Sequence, residues 1–263
     1  MVALKNYIRK SVCGLFPRAV LLNVLFVGFT SLSAHGADAE VIQNTRIFKL
    51  GLGATRIIYQ PGQAGATLSA TNPQSFPVLV QSQVFNEDRK TQAPFVVTPP
   101  LFRLDPGQRN VLRILGAGGS KTVKQESLYW LCVTGIPPKD GDVWAEERKE
   151  GTAPLAQVNM DVSTHMCIKL INRPAGLNSN LMQAASSLHW TREDKGVVAR
   201  NDSPYYISFS SLEVDGRRAD HPDYIAPFSA RTFNISGRVG SNVNWVVITD
   251  SGGKSRRFSA LVE

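Results

Sequence analysis

The sequence has little cysteine and histidine, and it lacks the short motifs that carry most enzymatic chemistry. Its 263 residues include three cysteines and four histidines, with no HExxH zinc motif and no GxSxG nucleophile turn. The GLG segment at 51–53 lacks the third glycine of a dinucleotide-binding loop, and the GKS segment at 253–255 has Ile248 where a P-loop begins with glycine. We therefore expect no enzymatic activity, no metal site and no cofactor.

Long apolar runs are also absent: the longest one covers only residues 19–29. Basic residues and no acidic residue precede this run, small residues follow it, and cleavage after Gly36 or Ala39 fits the small-residue rule for signal peptides. The run is too short for the roughly 20 residues that span a bilayer. We expect residues 1–39 to be a cleaved signal peptide and the mature protein not to insert into a membrane. The mature chain keeps a small basic excess, which is weak evidence for nucleic acid, so no nucleic-acid partner is expected.

The two cysteines that remain after cleavage predict a disulfide bond. Cys13 is lost with the signal peptide, which leaves Cys132 and Cys167 without CxxC spacing and without a histidine cluster. Such a pair does not form a zinc site, whereas in an oxidising compartment it favours a disulfide. Closing a loop of about 36 residues restricts the unfolded chain by roughly 3 to 4 kcal/mol in the chain-entropy model.

Short apolar or alternating runs, separated by turn-forming residues, dominate the mature chain. No segment has a sustained helical periodicity, so the pattern predicts an all-β chain with two tandem β-sandwich domains at 40–174 and 175–263. The boundary is placed there because Pro174 interrupts regular structure between two series of strands. The predicted strands are at 56–59, 66–71, 78–85, 95–98, 101–104, 110–115, 127–134 and 156–171, then 188–191, 197–201, 206–214, 231–235, 243–249 and 257–262.

Two neighbouring segments depart from this pattern. Residues 135–154 form a connection with no clear element, and connections of this length are more often functional or mobile than structural. From residue 156 to residue 170 the even positions are mostly apolar, in period-two alternation. This segment is either a long half-buried strand over its own core or an apolar edge that pairs with another chain.

Six sequence blocks resemble the PapD-like periplasmic chaperones of the chaperone/usher pathway, and in particular the subclass with a long loop between the last two strands of the first domain. These blocks are GATRIIYQPG (53–62), FPVLVQSQVF (76–85), PFVVTPPLFRLDPGQ (94–108), ESLYWLCVTGIPPKDGDVW (126–144), CIKLINRP (167–174) and NDSPYYISF (201–209). Blocks of this length in this order are highly specific. The resemblance implies two immunoglobulin-like domains, a periplasmic location and a role in assembling fimbrial or capsule-like surface structures.

The resemblance also implies a mechanism, donor-strand complementation. In the family, a fibre subunit lacks the last strand of its fold, and the chaperone lends its own strand until an outer-membrane usher exchanges it for a neighbouring subunit. The lent strand would be the first part of 156–164, with Ala156, Val158, Met160 and Val162 as the inserted side chains. An apolar stretch at 41–52 would lie beside it.

A second implied element is a pair of basic residues that hold the C-terminal carboxylate of the subunit in the cleft between the domains. Arg56 and Lys169 occupy the matching positions, and arginine and lysine both form charge-assisted hydrogen bonds to carboxylates. Strand alternation places Lys169 on the opposite side from Val158 and Val162 unless a bulge intervenes. The implied partners are fimbrial or fibrillar subunits and the usher, and the apolar edge also favours self-association of the free protein.

The alternative interpretation is a secreted immunoglobulin-like fibre subunit or adhesin. A subunit would have about half this length and would carry its donor segment at the N-terminus, whereas the alternating segment here is internal. The partner that contributes the strand therefore distinguishes the two interpretations.

Overall fold

The computed structural model describes residues 42–118, 124–138, 142–144, 157–177 and 180–263. The predicted signal peptide at 1–39 and most of the predicted loop at 135–154 lie outside these residues. In the segments that are described, no helix combines the length and the hydropathy needed to span a membrane.

These segments form nineteen strands and one short helix, which confirms the prediction of an all-β fold. The strands of the first half are β1 (Ile42–Phe48), β2 (Gly51–Leu52), β3 (Arg56–Tyr59), β4 (Ala66–Thr71), β5 (Val78–Phe85), β6 (Phe95–Thr98), β7 (Leu101–Leu104), β8 (Arg109–Gly116), β9 (Ser127–Ile136), β10 (Gln157–Ser163) and β11 (His165–Asn172). The second half has α1 (Leu181–Ser186), β12 (His189–Glu193), β13 (Gly196–Asn201), β14 (Ile207–Val214), β15 (Arg217–Arg218), β16 (Tyr224–Ile225), β17 (Ser229–Phe233), β18 (Asn242–Val247) and β19 (Phe258–Leu261).

Strands β2 to β9 and β11 form a two-sheet sandwich. One sheet has the order β3-β11-β9-β5-β7 and the other has the order β2-β4-β8-β6. The buried core takes Val80 and Leu131 from the first sheet and Leu68 and Leu112 from the second. Along β5, valines alternate with exposed glutamines, so burial follows the period-two pattern of the sequence. Strands β1 and β10 form a separate two-stranded sheet, in which they run parallel.

The second half of the chain forms another sandwich. Its sheets have the orders β12-β13-β17 and β15-β14-β18-β19, and β16 also pairs with β14. Trp190 and Trp245 lie at the centre of the core with ring centroids 5.1 Å apart. The indole N–H of Trp245 donates to the carbonyl of Ala185, which fixes α1 against the sheet. The two separate cores agree with the predicted domains at 40–174 and 175–263, whose boundary stays a prediction.

The structure corrects two features of the predicted secondary structure. The single strand expected at 156–171 is wrong, because Thr164 interrupts it and separates β10 from β11. The short helix α1 was not predicted, because one and a half turns are too few to produce a visible 3.6-residue periodicity.

Candidate functional site

The segment predicted as a lent strand is β10, which pairs only with β1 among the described residues. The two strands run in parallel, with Ile42 opposite Gln157 and Phe48 opposite Ser163. One edge of β10 therefore has no strand partner in the described part of the chain. Unpaired N–H and C=O groups along such an edge can accept a further strand.

Apolar side chains on one face of this β1–β10 ribbon are partly exposed. Val158 is 49% exposed, Met160 is 57% exposed and Val162 is 39% exposed. Ile47 of β1 is the register partner of Val162 and is 47% exposed, so it extends the same apolar face. Ala156, the fourth residue predicted to insert, lies outside the described residues.

The opposite face of the ribbon carries an ion pair that fixes the register of the two strands. Arg46 donates through Nε to Oδ1 of Asp161 and through Nη2 to Oδ2, each at 2.9 Å. The Arg46 guanidinium also lies over the rings of Phe48 and Phe76. Because Phe48 is fully buried in the first core, this contact attaches the ribbon to the sandwich.

The two basic residues predicted to hold a carboxylate lie side by side. Lys169 on β11 is the register partner of Arg56 on the parallel strand β3. On the other side of Lys169, Trp130 of β9 is its register partner, and Phe85 of β5 pairs with Trp130. These four residues, which we call the junction row, cross four adjacent strands where the first domain meets the second.

Arg56 is 6% exposed and reaches the second domain. Its Nη1 donates to the carbonyl of Ile248 at 3.1 Å. Burial lowers the pKa of Arg56 below its usual value, although the nearby carboxylates of Asp250 and Glu126 oppose that shift. The side chain therefore carries a poorly hydrated positive charge, and such a charge favours an anionic partner.

Lys169 also contacts the second domain. Its Nζ donates to Oδ1 of Asp223 at 2.9 Å and to Oγ of Ser208 at 3.3 Å. Burial lowers the pKa of Lys169, the hydrogen bond and charge of Asp223 oppose this, and the positive charges of Arg56 and Arg89 lower it further. A carboxylate that entered the junction row would reduce the repulsion between these cations.

A buried charged cluster, which the sequence analysis did not predict, holds the two domains together beside this row. Arg173 is 2% exposed and donates through Nε to Glu126 at 2.6 Å and through Nη1 and Nη2 to Asp250 at 2.7 and 2.8 Å. The second oxygen of Glu126 accepts the backbone N–H of Tyr206 at 2.7 Å. These acids raise the pKa of Arg173, outweighing the effect of its burial. The one feature of the sequence that could have indicated this cluster is the position of Arg173, directly after an apolar strand.

Cys132 and Cys167 form a disulfide bond, as predicted. They are register partners on the antiparallel strands β9 and β11, so the bond joins the two strands that flank the long connection. His165 lies beside the bond, with Nε2 3.3 Å from the sulfur of Cys167. Because both sulfurs are used in the disulfide, this Cys–His group lacks the thiolate ligands that a zinc site needs.

Comparison with known families gives two matches that together cover most of the chain. Residues 49–178 match the family described as pili and flagellar-assembly chaperone, PapD N-terminal domain. Residues 183–259 match the pili assembly chaperone PapD, C-terminal domain.

Individual relatives and solved structures are also similar. The chaperone protein AfaB of Escherichia coli is 44% identical over an alignment of 225 residues that covers 82% of this chain and 91% of the relative. The chaperone protein caf1M of Yersinia pestis is 38% identical over an alignment of 253 residues that covers 93% of this chain and 98% of the relative. The crystal structure of the E. coli chaperone DraB has a TM-score of 0.73 at 42% identity and covers 84% of this chain and 100% of that one. The Salmonella enterica SafB chaperone, in complex with the SafA pilin, has a TM-score of 0.74 at 36% identity with the same coverage.

Proposed function

Because the chain belongs to the PapD-like family of pilus-assembly chaperones, we propose that it binds fimbrial or fibrillar subunits in the periplasm and completes their fold by donor-strand complementation. The observation that carries this proposal is the β1–β10 ribbon, which combines a strand edge that has no partner among the described residues with a partly exposed apolar face. The named relatives are chaperones, and SafB binds a pilin, which favours this function over that of a fibre subunit or adhesin.

Strand β10 is the proposed donor. Backbone groups on its free edge would pair with the subunit and set the register, while Val158, Met160 and Val162 would fill the groove left by the missing strand. Full burial of one such side chain contributes about 1.5 to 3 kcal/mol. Since these side chains are already about half buried, each would add roughly half of that on binding. Ile47, which belongs to the apolar stretch predicted at 41–52, adds a fourth apolar contact.

Arg56 and Lys169 are the proposed anchor for the C-terminal carboxylate of the subunit. Their places in adjacent strands bring two cations within reach of one anionic group. Lys169 contacts Asp223 in the free protein, so the incoming carboxylate would share or replace that partner. The anchor would fix the end of the subunit and thereby the register in which its strand meets β10.

The same surfaces account for the other proposed partners. An outer-membrane usher would receive the subunit once the lent strand is exchanged for the segment of a neighbouring subunit. In the absence of a subunit, two copies of the free protein would associate through their apolar ribbon faces and cover them.

Co-expression in a Gram-negative periplasm with the small secreted β-proteins encoded beside this protein tests the proposal. We expect a one-to-one complex with a subunit that is degraded when it is expressed alone. Arg56→Ala and Lys169→Ala should each abolish accumulation of the subunit while the chaperone itself stays folded. Arg200→Ala, at an exposed arginine of the second domain, is the matched control. Normal subunit yield in both anchor variants would withdraw the carboxylate assignment, and recovery of no subunit with the unmodified protein would overturn the chaperone function.

A further inference from the structure

A third basic side chain, Arg89, lies over the junction row. Its guanidinium carbon is 3.7 Å from the centroid of the Trp130 ring, and Nζ of Lys169 is 5.8 Å from the same centroid. The guanidinium carbon of Arg89 and Nζ of Lys169 are therefore no farther apart than the sum of these two distances. No role for Arg89 follows from its position in the sequence, since it is one of several charged residues in a turn.

The turn that presents Arg89 is held by a dense set of hydrogen bonds. Asp88 accepts from the backbone N–H groups of Lys90 and Thr91 at 2.8 and 3.0 Å and from the Thr91 hydroxyl at 2.8 Å. The backbone N–H of Arg89 donates to the carbonyl of Asn86 at 2.9 Å. Arg89 itself has a φ of 57°, in the left-handed region that non-glycine residues seldom adopt unless their surroundings hold them there. The turn thus fixes the position from which the side chain reaches Trp130.

Both groups in this stack have unused hydrogen-bond donors. A guanidinium has five N–H groups, and those of Arg89 meet no acceptor within the described segments. Trp130 is 6% exposed, and its indole N–H also has no acceptor in the described part of the protein. Lys169 and Arg56, in contrast, each contact an acceptor on the second domain. Arg89 is exposed, so its N–H groups face solvent and are open to an incoming acceptor, whereas the indole N–H of Trp130 is buried, and buried donors seldom lack a partner.

We propose that Arg89, stacked on Trp130, binds an acidic side chain among the last residues of the subunit, next to the terminal carboxylate held by Arg56 and Lys169. This inference rests on the proposed function, because it needs a subunit whose C-terminus lies in the junction row. An extended chain advances about 3.3 Å per residue, so an acidic side chain one or two residues before the terminus spans the distance from Lys169 to Arg89.

The chemistry of the stack suits this ligand. An arginine held flat on an indole keeps its N–H edges free, and those edges form paired hydrogen bonds to a carboxylate. Arg89 would therefore determine specificity: it would favour subunits whose C-terminal segment is acidic over subunits that carry only the terminal carboxylate.

A double-mutant cycle with the co-expressed subunit tests the inference. The second-last residue of the subunit is set to Glu, Gln or Lys, and each form is co-expressed with the full chaperone or with its Arg89→Ala variant. The readout is the amount of subunit that copurifies per chaperone. Lys90→Ala is the matched control, because it removes one positive charge from the same turn without touching Trp130. Arg89→Lys keeps the charge but loses the planar donor pattern.

We expect the Glu form to copurify about three- to tenfold better than the Gln form with the unmodified chaperone, and the Lys form to copurify least. Arg89→Ala should bring the Glu and Gln forms to the same level, Lys90→Ala should preserve the difference, and Arg89→Lys should keep part of it. An unchanged Glu-to-Gln ratio in Arg89→Ala would overturn the inference. Parallel samples of Arg56→Ala and Lys169→Ala distinguish a failure of the Arg89 inference from a failure of the proposed carboxylate anchor. If these two variants still retain the subunit, the carboxylate anchor is wrong, whatever the result for Arg89.

Discussion

Replacing Arg173 by methionine should destabilise the protein strongly, because it leaves a buried carboxylate without its counter-charge. Glu126 is 1% exposed and is held by Arg173 at 2.6 Å and by the backbone N–H of Tyr206 at 2.7 Å. Methionine fills much of the same volume but donates no hydrogen bond. Of the two hydrogen bonds to Glu126 only the one from Tyr206 then remains, and the positive charge of Arg56 lies nearby without a hydrogen bond to this carboxylate.

The size of the effect follows from the burial of the pair. Removing one partner of a buried ion pair costs about 3 to 5 kcal/mol, a large part of the roughly 5 to 15 kcal/mol by which a protein is stable. Adding Glu126→Gln to the variant should restore part of the loss, because a neutral amide still accepts the Tyr206 N–H and no longer buries a charge. Arg46→Met is the control, since the Arg46–Asp161 pair is partly exposed and such pairs contribute about 0 to 1 kcal/mol.

Urea unfolding followed by tryptophan fluorescence measures these differences. With a urea dependence of about 2 to 3 kcal/mol per molar, the Arg173→Met variant should unfold at a midpoint about 1 to 2 M lower. The double variant should lie between this variant and the unmodified protein. A midpoint for Arg173→Met no lower than that of Arg46→Met would refute the reasoning that the buried charged cluster holds the domains together.

Three further predictions concern the proposed binding surfaces and the disulfide. Met160→Asp should lower copurification of the subunit at least about tenfold, because it places a carboxylate in an apolar groove, whereas Met182→Asp on the short helix should leave copurification unchanged. Raising the pH toward 10.5, the ordinary pKa of lysine, should release bound subunit progressively, because the pKa of Lys169 is lowered and its charge is lost below that value. The Lys169→Arg variant should hold the subunit to higher pH, as measured by gel filtration across a pH series. Identical release curves for the two proteins would contradict this prediction. Replacing Cys132 and Cys167 together by serine should cost roughly 3 to 4 kcal/mol, measured by urea unfolding, and a variant as stable as the oxidised protein would be inconsistent with the constraint on the unfolded chain.

Much of the strand pattern of the first domain could be predicted from the sequence, because buried residues alternate with exposed ones in strands such as β5 and β6. Strand β5 has the predicted bounds, 78–85, and its valines alternate with exposed polar residues. The break at Thr164 could not be predicted, because alternation continues across it in the sequence. What separates the strands is a set of long-range contacts: Thr164 donates its hydroxyl hydrogen to the carbonyl of Phe48, and its own carbonyl accepts from Gly135.

For the candidate site, the sequence indicated the two basic residues of the anchor but not the residues that surround them. Arg56 and Lys169 were singled out by resemblance alone, since a lone basic residue in a strand is usually a solvated surface residue. Their neighbours were not, because Trp130, Asp223 and Arg89 reach Lys169 from distant parts of the sequence through strand register and domain contact. Periodicity shows which face of a strand is apolar, but it does not show which strands become neighbours.

Hydrogen exchange at the backbone amides of β10, in the free chaperone and in its complex with the subunit, tests the central claim most directly. The account predicts that the amides of Gln157–Ser163 that point away from β1 exchange quickly in the free protein and become protected in the complex. Amides of β14, in the second domain, serve as the internal reference and should not change. Retention of a bound subunit with no added protection along β10 would contradict donor-strand complementation by this strand.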